Sequence, residues 1–470
     1  MKISIFPNLF RVGISNARHP IIVVVLLFAF VGANSTMASS ILSLEQCVNL
    51  ALKNNQLLSV KSYEKDSRIS QAKSTKSIIM PHVSASLSTS HSGGKLAEYD
   101  TTYSVIPTLS GNDAITFPSF SETGNYGNME WNGYYDLSLN INQNVYDGGK
   151  WQNMLKSADV AQEQAKLDFQ QARINTVFSV KQAFYQYLIA VRLLDVYKES
   201  LNLAQEQHKQ AIERFNLGAS SISDTLRTLV NVERTKLTVI SGTQDENSKR
   251  KVLNILLGND VQAALSIIEP EWKMMPVTDF NRAMVEALRI NPRVQNLKYG
   301  KESAEYGLKI SKSDFLPKVG INLGYSQSSR EVGKLFGEGN ASLSAGASLS
   351  WSLWDGGAAK QSVEQKRIAI KISEENVSYL EKTIESEIST AIENIAQLTE
   401  NIRISNVILR AAELDHLLVT EEYQLGSASI LDVLKIATDL KDAKTKLVQA
   451  KYTLKIAEAA LEQIIGRTDF

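Results

Sequence analysis

Tyr146-Asp147-Gly148-Gly149 ends an alternating segment and opens a long run without proline; 208 residues later Trp354-Asp355-Gly356-Gly357 does the same. The offset holds downstream without a gap. Phe215-Asn216-Leu217-Gly218 matches Tyr423-Gln424-Leu425-Gly426, Ile222-Ser223-Asp224 matches Ile430-Leu431-Asp432, and Leu256-Leu257-Gly258 matches Ile464-Ile465-Gly466. Unrelated matches would not share one register over more than 100 residues, so the chain is a tandem duplication, one unit used twice. Upstream the offset becomes 236: Ala51-Leu52-Lys53-Asn54-Asn55-Gln56 resembles Ala287-Leu288-Arg289-Ile290-Asn291-Pro292, and Met80-Pro81 resembles Leu316-Pro317. The first unit thus carries about 28 extra residues (236 − 208). They fall in the Ser-, Gly-, Asn- and Tyr-rich stretch from Ser92 to Gly133, which reads as a long outward-facing loop.

Proline is absent between Ser119 and Glu269 and after Pro317, so long helices are permitted there. An apolar stripe fills the second of these regions: Val377, Leu380, Ile384, Ile388, Ala391, Ile395, Leu398 and Ile402 recur three or four apart, continuing to Val419 and Tyr423. Val177, Val180, Phe184, Tyr187, Val191 and Leu194 begin the matching stripe in the first unit. A helix from Gly149 to Leu217 would be roughly 100 Å long, which fits only an elongated bundle or coiled coil. Gly218 and Gly426 are placed to end such helices, and Ser221 or Ser223 and Ser429 to cap the next ones.

Four segments have a period of two: Val83–Thr89, Tyr135–Ile141, Val319–Tyr325 and Leu343–Leu353. Each is about the length of a tilted strand crossing a bilayer. Their second faces are Ser, Gly and Asn with almost no charge, which suits a wet lumen. Aromatic residues sit near their ends, with Trp131, Tyr134, Tyr146, Trp351 and Trp354 as the expected interfacial girdle. Four strands cannot close a membrane barrel, and an open edge in lipid leaves backbone groups unpaired. Several copies must therefore share one barrel, and three would supply twelve strands.

The net charge of zero gives no footprint for nucleic acid. Residues 1–38 carry Lys2, Arg11 and Arg18 but no acid, and hold the apolar run Ile21–Val31 followed by small residues. They read as a signal peptide that is cleaved, with no lipobox before Cys47. Cys47, the sole cysteine, reads as a small buried hydrophobe. His208 and His416 occupy one repeat position and read as packing histidines. No phosphate loop, nucleophile elbow or metal cluster is present, so no enzyme, cofactor or metal is expected. The expected domains are the signal peptide 1–38, a first repeat 39–258, a linker 259–276, a second repeat 277–466 and a tail 467–470.

Taken in order, the Leu50–Asn55 start, Leu316-Pro317, the two Asp-Gly-Gly turns, Gly218, Gly426, and the endings at Gly258 and Gly466 resemble the TolC-like outer-membrane factor family across nearly the whole mature chain. The resemblance implies an α+β membrane protein. Three chains would share a twelve-stranded β-barrel continuing into a long α-helical tunnel across the periplasm. It implies a passive exit duct for drugs or secreted proteins, docked to a periplasmic adaptor and an inner-membrane pump of ABC or RND type. The strand-to-helix turns would be Asp147, Gly148, Gly149, Asp355, Gly356 and Gly357. The adaptor-docking hairpin tips would be Leu217, Gly218, Ala219, Leu425, Gly426 and Ser427. The periplasmic gate would involve Asp224, Arg227, Tyr423, Asp432 and Lys435, with Tyr423 tying the hairpins together. Lys435 stands where the family has a second ring aspartate, and Ala428 where it has a network arginine. Asp432 and Lys435, three apart on a helix, are spaced to pair. A soluble periplasmic coiled-coil adaptor is the alternative reading; heat-modifiable trimers in outer-membrane fractions distinguish the two.

Overall fold

A computed structural model describes residues 41–94, 97–100, 123–126, 130–272, 279–337 and 339–467. The expected signal peptide, most of the expected Ser92–Gly133 loop and the last three residues lie outside them. Described here are β1 (Ile41–Leu42), α1 (Leu44–Asn54), α2 (Gln56–Ser74), β2 (His82–Gly94), β3 (Ala97–Asp100), β4 (Thr123–Tyr126), β5 (Glu130–Tyr146), α3 (Lys150–Asn216), α4 (Ile222–Leu257), β6 (Ser266–Ile267), α5 (Phe280–Ile290), α6 (Pro292–Lys312), β7 (Lys318–Ser329), β8 (Ala341–Ser350), α7 (Ala358–Leu425) and α8 (Ile430–Ile465).

The two rods expected from the proline-free runs are α3 and α7, of 67 and 68 residues. Each turns at a left-handed glycine, Gly218 or Gly426, into a 36-residue helix. Ser221 and Ser429 cap those helices, each in a reciprocal capping box with the aspartate three residues on. α3 packs against α4, α6 and α8, and α7 against α6 and α8. No described helix is long and apolar enough to cross a membrane.

The duplication is visible in the core. One cluster holds Cys47, Ala51, Val180, Leu253 and Leu257; a second holds Ala283, Ala287, Ile388, Leu461 and Ile465 at the same offsets of 236 and 208. Cys47 therefore fills the place that Ala283 fills in the other unit, and burial pushes its thiol up to about 12. Each unit is also clamped the same way. Asn55 Nδ2 donates to the Leu256 carbonyl at 2.8 Å, and Asn291 Nδ2 to the Ile464 carbonyl at 2.7 Å. Both asparagines also cap the following helix through Oδ1.

Four strands form one antiparallel sheet in the order β2-β5-β7-β8. Its register sorts the residues by face. Val83, Ile141, Leu323 and Ala345 lie in one row, and Ala85, Leu139, Tyr325 and Leu343 in another. The alternate rows are Ser84, Asn140, Gly324, Ser344 and Ser86, Ser138, Ser326, Ser342. One face is apolar and the other is hydroxyl, amide and glycine. The fourth strand ends at Ser350, short of the expected Leu353; Trp351 and Trp354 lie beyond it in the approach to α7. β3 and β4 pair as a separate hairpin, and β1 pairs with β6, tying the first residues described to the linker.

Candidate functional site

Three regions carry the features a duct needs: the sheet, the strand-to-helix turns, and the far ends of the rods. On the sheet, Val83, Leu87, Leu139, Ile321, Leu323, Leu343 and Leu349 are all exposed in one protomer, although they share the apolar face. The register revises the girdle. Tyr134 pairs with Ser90 and takes the parity of Asp136 and Ser138, which puts it on the polar face; Tyr135 takes the apolar one. Tyr146 would share Tyr134's face by simple alternation, but a bulge between Asn144 and Tyr146 pairs it with Val319 and moves it to the apolar face. Trp351 donates its indole N–H to the Phe315 carbonyl at 3.0 Å, and Trp354 is 86% exposed. Trp131 has its side chain outside the described residues.

At the turns, Gly148, Gly149, Gly356 and Gly357 all have positive φ, a region in which glycine is unstrained. The preceding aspartates cap the helices from outside: Asp147 Oδ2 accepts from the Trp151 amide at 2.9 Å, and Asp355 Oδ2 from the Ala359 amide at 2.7 Å. The two turns differ in surroundings. A Cβ on Gly148 would sit 2.8 Å from Leu316 Cβ, whereas one on Gly356 meets nothing within 4 Å.

At the far end, the tips Leu217 and Leu425 are 84% and 85% exposed, beside Gly218, Ala219, Gly426 and Ser427. Tyr423 is buried with Ile430 and Val433, and a residue of the other hairpin reaches it. The joining contact is not its hydroxyl, which is buried without a partner. Instead, the guanidinium of Arg214, near the end of α3, lies 4.5 Å from the Tyr423 ring centroid and donates to the Tyr423 carbonyl. Arg214 was not among the expected gate residues. Its repeat-mate is Glu422, so a charge reversal between the units was the available signal.

Asp432 is taken up by its cap rather than paired with Lys435. The Ser429 hydroxyl and amide donate to Oδ2 at 2.7 and 3.1 Å. Those hydrogen bonds hold the carboxyl below the ordinary range, with Lys435 adding a smaller pull. Asp224 Oδ2 accepts from the Ser221 amide at 3.2 Å, and its Oδ1 lies 4.0 Å from the Arg227 guanidinium. His208 Nδ1 lies 2.9 Å from the Thr228 hydroxyl, whereas His416 Nε2 is buried without a partner.

Midway along the rods the linker is strapped to the helices. Glu269 accepts from Tyr452 and Arg192, and Lys455 lies 5.0 Å from the Trp272 ring centroid. The Tyr187 hydroxyl donates to the Leu265 carbonyl at 3.0 Å.

The chain matches the model of the outer membrane efflux protein family over residues 47–259 and 283–467. It is 22% identical to the outer membrane efflux protein BepC of Brucella suis over 333 residues, covering 70% of this chain and 72% of that protein. It is 20% identical to the outer membrane protein TolC of Escherichia coli over 342 residues, 70% of this chain and 69% of the other. Its fold superposes on the outer membrane channel CmeC of Campylobacter jejuni with a TM-score of 0.73 at 17% identity, covering 90% of this chain and 85% of that one. The chain belongs to the outer membrane efflux protein family, and its part in the cell is that of an outer-membrane exit duct rather than a soluble adaptor.

Proposed function

We propose that this duct is a homotrimer in which three four-stranded sheets close a twelve-stranded barrel in the outer membrane, with the rods forming a tunnel across the periplasm. The observation that carries this is the sheet: β2 and β8 are both open edges, one face is apolar and the other uncharged over most of its length. In lipid such edges must be paired, and neighbouring copies supply the pairs. The tips Leu217–Ala219 and Leu425–Ser427 would meet a periplasmic adaptor, itself coupled to an inner-membrane pump of ABC or RND type. Cargo is drugs or secreted proteins, passed without chemistry. The chain reaches its site by a cleaved signal peptide and is not lipidated.

The closed tip is held by Arg214 on Tyr423, over hairpins whose helix starts are set by Asp224 and Asp432. Arg227 and Lys435 leave it less acidic than the family's aspartate ring. Semi-native electrophoresis of outer-membrane fractions tests the assembly. A heat-sensitive band at three times the chain mass is expected. A processed chain that stays a single copy in water without detergent would refute the proposal.

A further inference from the structure

The polar face of the sheet is nearly neutral, and this gives its few charges weight. Among the described side chains from His82 to Ser90, from Tyr134 to Asn144, from Lys318 to Ser328 and from Ser342 to Ser350, the even-numbered positions of that face are Ser, Asn, Gly and Tyr134, with three exceptions. His82 sits at one end, opposite Asn142. Lys318 sits at the same end, its ammonium 3.2 Å from Asp314, which Lys150 also approaches at 3.7 Å. Asp136 sits near the other end, between Ser88 and Ser328. Lys318 and Ser328 lie ten residues apart on β7, about 33 Å along the strand. That is several Debye lengths at physiological salt and about one at 10 mM, and the Lys318 charge is offset by Asp314 beside it, so Lys318 opposes Asp136 only weakly.

We infer that Asp136 sets the charge preference of the barrel lumen, favouring cationic and neutral cargo and disfavouring anions. The inference rests on the trimeric barrel proposed above, which brings three copies of Asp136 to one level. Twelve strands about 4.8 Å apart and tilted by about 40° enclose a backbone radius of roughly 12 Å. A carboxylate reaching inward then lies roughly 9 Å from the axis. Three unit charges at that distance in water, screened over about 30 Å at 10 mM salt, enrich cations on the axis roughly fivefold and deplete anions equally. At 1 M salt the screening length falls to about 3 Å and the effect vanishes. The preference is therefore strongest at low ionic strength, unlike a steric filter, which would not change with salt.

The test uses the full purified chain in planar bilayers across a tenfold KCl gradient, with the native tip and with Arg214→Ala. Asp136→Asn is expected to shift the reversal potential toward the anion side at 10 mM and not at 1 M, and Asp136→Lys to shift it further. A second arm separates this inference from the barrel itself. Cys47 is buried, so Asp136→Cys and Leu137→Cys can each be probed with a charged, membrane-impermeant thiol reagent. Labelling at 136 but not 137, with unchanged selectivity in Asp136→Asn, would overturn the inference and leave the barrel standing. Labelling at 137 instead, or at neither, would overturn both.

Discussion

α3 and α7 occupy the same place in the two repeats and have opposite surroundings. α3 buries seventeen of its residues within the protomer, Phe184, Ile174 and Val180 almost completely; α7 buries four. Yet α7 is no less apolar. Ile372, Tyr379, Ile408, Leu414 and Leu417 are each between 48% and 74% exposed, and across the bundle α4 leaves Leu237 and Ile240 about 65% exposed. An apolar stripe that one chain does not cover marks a contact with another. Duplication made two equal rods; position made one a core helix and, in the proposed trimer, the other a boundary between copies.

This contrast can be broken by substitutions on each rod. Tyr379→Asp together with Ile408→Asp on α7 should abolish the trimer in semi-native gels while leaving the helical circular dichroism of the protomer unchanged. Phe184→Ala on α3 should do the reverse in order: the protomer itself loses about 3–5 kcal/mol, seen as a lower denaturation midpoint, and assembly suffers only as a consequence. A trimer that survives both α7 substitutions would place the subunit boundary elsewhere.

The strand-to-helix turns sharpen the same lesson. Gly148 is pressed against Leu316 and the Ser313 carbonyl, and Asp147 beside it is buried; Gly356 and Asp355 face open space. Gly356→Ala should cost only the positive-φ strain, about 1 kcal/mol. Gly148→Ala adds a backbone clash, for a total of about 2–4 kcal/mol. Paired heat-dissociation curves of the two variants measure the gap. Equal midpoints would mean that the neighbouring copy packs the second turn as tightly as the chain itself packs the first.

At the tip the asymmetry is chemical. Arg214→Ala removes the cation from the Tyr423 ring and a donor from its carbonyl, an interaction of about 1–2 kcal/mol per subunit. Single-channel conductance should rise. Tyr423→Ala should match it, whereas Tyr423→Phe should be nearly silent, because the hydroxyl has no partner to lose. A large rise with Tyr423→Phe would show that a neighbouring copy supplies that partner.

Much of this was legible in the residues, for identifiable reasons. The periods of 3.6 and 2, the missing prolines and the fixed offset of the repeats are local or self-referential signals, and they placed both rods and all four strands. What escaped depended on partners distant in sequence. Asn55 and Asn291 were visible as a repeated pair, but not that each reaches across about 200 residues or about 170 residues to a carbonyl, Leu256 or Ile464. The faces of Tyr134 and Tyr146 hinge on register and one bulge, which alternation alone cannot supply. Arg214 hid among ordinary helix-surface charges, and the spacing of Asp432 and Lys435 suggested a pair, whereas Oδ2 of Asp432 accepts from both the amide and the hydroxyl of Ser429.

The smallest expected effect separates the two histidines. In the first repeat Thr228 faces His208; its repeat-mate is Ile436, which cannot hydrogen-bond. His416 instead borders a cavity of about 410 Å³ lined by Val196, Leu203, Leu440 and Lys444, where Lys444 bridges to Glu199 on α3 at 2.7 Å. Burial, with a further push from Lys444, lowers the His416 pKa below its ordinary value of 6.5. The unfolded chain then takes up this proton at a higher pH than the folded one. The neutral ring's contribution is complete above about pH 6.5 and is lost as the pH falls through the folded value. Native trimers should dissociate at a slightly lower temperature at pH 5.5 than at pH 7.5. His416→Gln should flatten that dependence while His208→Gln leaves it in place, because only the second repeat keeps an imidazole buried without a partner. If the slope survives His416→Gln, the titrating group lies elsewhere than the seam between α3 and α8.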